Sequence, residues 1–92
     1  KMIYKLTYHV GEKIIVSYHE SKESCEDMLM CAYFDLLSLE TKWELYHEQT
    51  QDEMLDEFTD AELESLKAYF VQTRKFEDFR NQMMLWTITA LA

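Results

Sequence analysis

Tyr4, Leu6, Tyr8 and Val10 alternate with more polar neighbours, the period-two signature of a strand with one face in a core. Residues 13–19 (KIIVSYH) are again rich in β-branched and aromatic types, and Gly11 sits in the short connection, where a positive φ is needed. The runs 2–10 and 13–19 therefore predict a β-hairpin. The period then changes. Cys25, Leu29, Ala32, Leu36, Leu39, Trp43 and Tyr46 follow a 4-3-4-3 spacing, which predicts one long helix over about 22–48. Ser21 or Ser24 caps its start, with Glu23, Glu26 and Asp27 at the positive end of the dipole. Thr41 with Glu44 offers a capping box that would kink or restart it. Thr50 with Glu53 and Thr59 with Glu62 repeat that pattern. They predict a short helix near 51–58, with Met54, Leu55 and Phe58 inward, and another over about 60–75 burying Leu63, Leu66, Phe70 and Thr73. Residues 83–91 (MMLWTITAL) return to alternation and predict a third strand, a helical tail being the alternative. The expected fold is α+β in a single domain, 1–92: the N-terminal hairpin and C-terminal strand form a small antiparallel sheet packed against one long and two shorter helices.

Composition agrees with a folded chain. Apolar residues make up 48% of the sequence and thirteen are aromatic, too many for disorder. With no Pro and a single Gly, no linker or second domain is visible. No apolar run approaches the roughly 18 residues of a membrane span. Cys25 and Cys31, six apart in a helical stretch, fall on different faces and do not bridge. Two thiols and no leader pattern fit a reducing cytoplasm, and Met2 reads as the natural start.

Charge changes the picture. The net charge is −9, but residues 20–64 carry fifteen acids against Lys22 and Lys42, a net of −13, while 1–19 and 65–92 are each +2. Phosphate binding needs clustered Lys and Arg, so nucleic acid and anionic membrane are both disfavoured as direct ligands. A basic protein surface is favoured.

The acids are also ordered. Glu40, Glu44, Glu48, Asp52, Asp56, Asp60 and Glu64 form an unbroken four-residue repeat, with Glu53, Glu57 and Glu62 beside it. Like charges four apart on a helix repel by roughly 0.2–0.5 kcal/mol per pair, so six pairs oppose folding by about 1–3 kcal/mol. Four helical residues advance about 6 Å, a spacing near that of successive phosphates along a winding DNA strand. A carboxylate row thus imitates a phosphate row in sign and rough spacing. A period of four drifts about 40° per step, so seven acids on one straight helix would wrap around it. The caps at Thr50 and Thr59 divide them into rows 40/44/48, 52/56 and 60/64, each free to face outward. The bland alternative is a solvated face, although such faces usually mix in lysine and only Lys42 interrupts this one.

Catalytic patterns are missing. His9 and His19 would meet only across the hairpin, His47 lies on a helix, and a metal needs more ligands than that pair. Neither cysteine has a histidine at a diagnostic spacing. Acid pairs such as Asp56 and Glu57 lack a Gly-punctuated calcium loop, and one glycine cannot build a phosphate cradle. The expectation is a non-enzyme with no cofactor and no metal. Residues 28–37 (MLMCAYFDLL) are apolar nearly all round, more than a three-stranded sheet can cover. Met30, Phe34 and Leu37 are therefore expected to lie exposed and to form a homodimer interface.

A short, acidic, strand-first α+β chain with carboxylate rows and no catalytic constellation resembles the Arn family of anti-restriction DNA mimics from T-even bacteriophages. The resemblance covers the whole chain and rests on this character, not on a short motif. It implies a homodimer made in the host cytoplasm that inhibits the McrBC restriction endonuclease and binds the histone-like protein H-NS in place of DNA. The partner-binding residues are then Glu40, Glu44, Glu48, Asp52, Glu53, Asp56, Glu57, Asp60 and Glu64. The alternative is a small acidic regulatory or anti-CRISPR-type inhibitor that docks on a host enzyme through its apolar helix.

Overall fold

The computed structural model describes residues 2–52, 57–73 and 85–91. Strands β1 (Ile3–Val10) and β2 (Lys13–His19) form the expected hairpin, with Val10 paired to Lys13. The two-residue turn has φ +61 at Gly11 and no positive φ at Glu12, the backbone of a type II′ turn, which places glycine first. Strand β3 (Trp86–Leu91) pairs antiparallel with β1, so the sheet order is β2-β1-β3 and β1 is central. The C-terminal run is thus a strand, as its alternation predicts.

Among the described residues three helices follow the hairpin: α1 (Lys22–Leu36), α2 (Leu39–Thr50) and α3 (Asp60–Thr73). The long helix expected over 22–48 is two helices. At Leu37 the backbone turns extended (φ −63, ψ 145), and the Ser38 side chain accepts from the Thr41 amide at 3.2 Å, starting α2. Ser38, not Thr41, is the cap, because a serine one residue past an extended Leu37 is already placed to bond the third amide of a new helix. The break interrupts the seam as well, leaving Leu36 and Leu39 exposed on either side of it. Ser21 caps α1, accepting from the Ser24 amide at 3.0 Å.

The Thr59–Glu62 box forms in full: the Glu62 amide donates to Thr59 Oγ1 at 3.2 Å and the Thr59 amide donates to Glu62 Oε1 at 2.9 Å. Thr50 does not cap a new helix. Its hydroxyl donates to the Tyr46 carbonyl and accepts from the Asp52 amide, closing α2, whose C-cap Gln51 is left-handed at φ 63. Of the helix expected near 51–58, residues 51, 52, 57 and 58 are not helical; Met54 and Leu55 lie outside the described residues.

Helix α1 is the middle layer. Its Cys25 and Leu29 pack on Leu6 and Tyr8 of β1. Its Met30 and Phe34 pack on Leu45 of α2 and on Leu66 and Phe70 of α3. Met30 is 0% and Phe34 1% exposed, and Leu37 is half-buried against the same cluster. The exposed patch expected of Met30, Phe34 and Leu37 is therefore absent. A helix apolar all round is explained by covers on two sides, the sheet and the α2/α3 pair, rather than by a second subunit. In the second cluster the Phe70 ring meets Phe34 at 5.8 Å and Tyr33 at 5.9 Å, both tilted.

Candidate functional site

Glu40, Glu44 and Glu48 lie at successive four-residue steps along α2 and all are exposed. Leu45 faces inward from the same helix, which turns the row to the outside. Asp60 and Glu64 form the corresponding pair on α3 and are also exposed, as are Asp52 and Glu57 in the connection between the helices. Glu53 and Asp56 lie outside the described residues. Three of the six like-charge pairs, 40/44, 44/48 and 60/64, fall within helices; 48/52 crosses the end of α2, and the two involving Asp56 are not described. The helical repulsion is then about 0.6–1.5 kcal/mol, half the sequence-based figure.

Glu48 reaches α3, where its carboxylate accepts from the Tyr69 hydroxyl at 3.0 Å, and Gln49 donates to the Ser65 hydroxyl nearby at 3.5 Å. Glu64 lies on the other flank of α3, lining an open groove of about 480 Å³ with Cys31 of α1, Lys67, Ala68 and Val71. Glu48, the last acid of the α2 row, therefore borders the α2/α3 seam, and Glu64 borders the α1/α3 seam. Donation to Glu48, then burial and that carboxylate's charge, hold the Tyr69 phenol above its ordinary value.

Two lysines of the helical layer, Lys42 and Lys67, turn toward the core. The Lys42 ammonium sits 5.1 Å from the Phe34 ring centroid and that of Lys67 5.9 Å from the same ring. Lys67 also pairs with Asp35 at 3.1 Å, and that hydrogen bond raises its pKa against the opposing effect of burial. Both cations thus snorkel along the rim of the second cluster, their stems on apolar surface. Sequence reading missed Tyr69 and these two lysines. Tyr69 is 21 residues from Glu48, beyond any helical spacing, and the lysine positions depend on Phe34 being buried beneath them.

The histidines do not cluster. His19 pairs with Tyr4 and His9 with Ile14, at opposite ends of the hairpin, because antiparallel register separates them. The His19 ring bridges Ser17 Oγ at 2.7 Å and Ser24 Oγ at 3.0 Å, tying β2 to the first turn of α1. His47 Nδ1 lies 2.6 Å from the Asp52 carbonyl oxygen at the end of α2. Among the described residues no group of His, Cys, Asp or Glu is arranged to hold a metal ion, and no helix is long and apolar enough to cross a membrane. Both cysteines are free, and burial is the first cause that pushes each thiol upward, away from the reactive thiolate.

Comparison with protein families, with curated proteins and with solved structures finds no match.

Proposed function

We propose that this chain is an acidic DNA mimic that occupies the DNA-binding surface of a basic host protein. The observation that carries the reading is the division of charge in the helical layer: Glu40, Glu44 and Glu48 stand exposed along α2, while Lys42 and Lys67 are drawn over Phe34. Self-neutralisation would have used those lysines at the row. Their placement leaves an outward field of one sign, which attracts a cationic surface and raises its encounter rate. The resemblance to the Arn family names H-NS and the McrBC endonuclease as partners of this kind. No step of the reading needs a catalytic group or a cofactor.

Docking on a host enzyme through an apolar α1, the anti-CRISPR-type alternative, would need Met30 and Phe34 at the surface. Both are spent on the core. The test is displacement. Added to purified H-NS bound to labelled DNA, the chain should release the DNA, and it should not shift the labelled DNA when H-NS is omitted. DNA that stays bound to H-NS at saturating chain, or that binds the chain itself, would refute mimicry of this partner.

A further inference from the structure

We infer that the groove between α1 and α3 is a docking site for a basic amphipathic helix of a partner protein. The inference stands independently of the mimic reading, whose row lies on α2. Its first support is the shape and floor of the groove. About 480 Å³ opens between the two helices, within the roughly 300–1,000 Å³ of ordinary binding pockets, and Cys31, Ala68 and Val71 give it an apolar floor. Ala68 is exposed and Cys31 and Val71 are half-buried, so part of that apolar surface faces solvent. Cys31 and Ala68 are also small, which lets another element approach closely.

The walls select the kind of chain. Both are helices, whose backbone bonds run along their own axes, so the groove offers no ladder to an extended strand. An occupant that lies on the floor must satisfy its own backbone, which a helix does. The length agrees. Glu64 and Gln72, at the two ends of the groove's α3 wall, are separated by about 12 Å of helix axis, close to two turns. Two turns present apolar anchors at i, i+4 and i+7, the pattern by which amphipathic helices lie in grooves.

Charge selects the sign of the occupant. Burial is the first cause of the raised Cys31 thiol; Lys67 opposes it, and Asp27, Asp35 and Glu64 add to it, which puts these four charges around the floor. Lys67 is itself engaged by Asp35 at 3.1 Å. Among the described residues the groove is therefore acid-rimmed, within a segment, residues 20–64, that carries −13. A helix with an apolar stripe flanked by Lys or Arg matches both floor and rim, whereas an acidic helix, or a second copy presenting its own helical layer, is repelled.

The experiment uses the full chain and two labelled synthetic peptides of identical leucine and lysine content, one with leucine at helical spacing and one with leucine at alternate positions. The helical peptide should bind the parent about tenfold more tightly than the alternating one, because equal charge leaves only the stripe to tell them apart. It should also slow alkylation of Cys31, read by mass spectrometry, while Cys25 is buried and stays unmodified throughout. Ala68→Trp fills the groove from an exposed position and should weaken the helical peptide about tenfold, with circular dichroism to check folding. Glu40→Gln/Glu44→Gln/Glu48→Gln, on the other helix, should bind it within about threefold of the parent. The thiol readout is made on the parent and holds even if Ala68→Trp fails to fold. Equal binding of the two peptides, no protection of Cys31, or a folded Ala68→Trp that binds as tightly as the parent would each overturn the groove. Loss of binding in the triple variant would move the peptide to the α2 row and overturn it too. So would a parent dimer that Ala68→Trp separates on sedimentation, since a second copy would then be the occupant.

Discussion

Gln51 holds a left-handed backbone that most side chains avoid, and it does so to end α2, where its amide donates to the His47 carbonyl at 2.8 Å. Glycine adopts that conformation without the Cβ clash. Gln51→Gly should therefore raise stability by about 0.5–1 kcal/mol, net of the lost side-chain bond to the Glu48 carbonyl. Thr59 is the opposite case, a residue whose loss breaks two bonds at once. Thr59→Ala should cost about 1 kcal/mol, read by urea titration, and Glu62→Ala should cost a similar amount because the box is reciprocal. The titrating groups give a pH prediction of one sign. Cys25, Cys31, Lys67 and Tyr69 all hold their protons more tightly when folded. Such groups contribute stability that is whole below their ordinary values of 9.0, 10.0 and 10.5 and is lost as pH rises through the higher folded values. Thermal melts should thus fall from pH 9 to 11, and Cys25→Ser/Cys31→Ser should lose less over that interval than the parent. A flat melting temperature across it would contradict these assignments.

At the scale of elements, the local signals were readable and the layering was not. The hairpin, the Thr59–Glu62 box and the final strand follow from alternation, one glycine and a four-residue capping spacing, all of which act within a few residues. The break at Leu37–Ser38 was obscured because hydrophobic spacing continues through it from Leu36 to Leu39, although both of those residues end up exposed. The surplus apolar face of α1 was legible as a surplus; its cover was not, since nothing local says that α2 and α3 fold back over Met30 and Phe34. The acid rows follow from spacing alone. The placement of Glu48 and Glu64 on two different seams follows from how α3 packs, which local spacing does not encode. Two predictions belong here. Phe34→Ala should destabilise the monomer by about 3–5 kcal/mol, as a core truncation does and an interface truncation would not, measured by denaturant titration at concentrations low enough to hold one chain apart from another. Tyr69→Phe removes only the hydroxyl that meets Glu48, so it should leave the melt nearly unchanged and weaken partner binding only in the presence of Glu48, which a double-mutant cycle with Glu48→Gln reads directly.

At the scale of the whole molecule, the chain divides its labour between a sheet that is nearly charge-balanced and a helical layer that is strongly acidic. The acidic repeat is tolerated because only three of its six like-charge pairs fall within the described helices, a cost of about 1 kcal/mol in a domain whose second cluster buries Met30, Phe34, Leu66 and Phe70. A surface that costs stability and faces outward is expected to act on something else. The most direct measurement of that claim is the affinity for H-NS at 50 and 200 mM salt, taken for the parent and for Glu40→Gln/Glu44→Gln/Glu48→Gln, with thermal melts of both. Multiple charge contacts predict about a tenfold or greater loss for the parent between the two salts, a smaller loss for the variant, and weaker binding of the variant at 50 mM. The variant should melt no lower than the parent, since two repelling pairs are relieved. A variant that melts as the parent does and binds as tightly, with the same dependence on salt, would reduce the row on α2 to a solvated face and contradict the account.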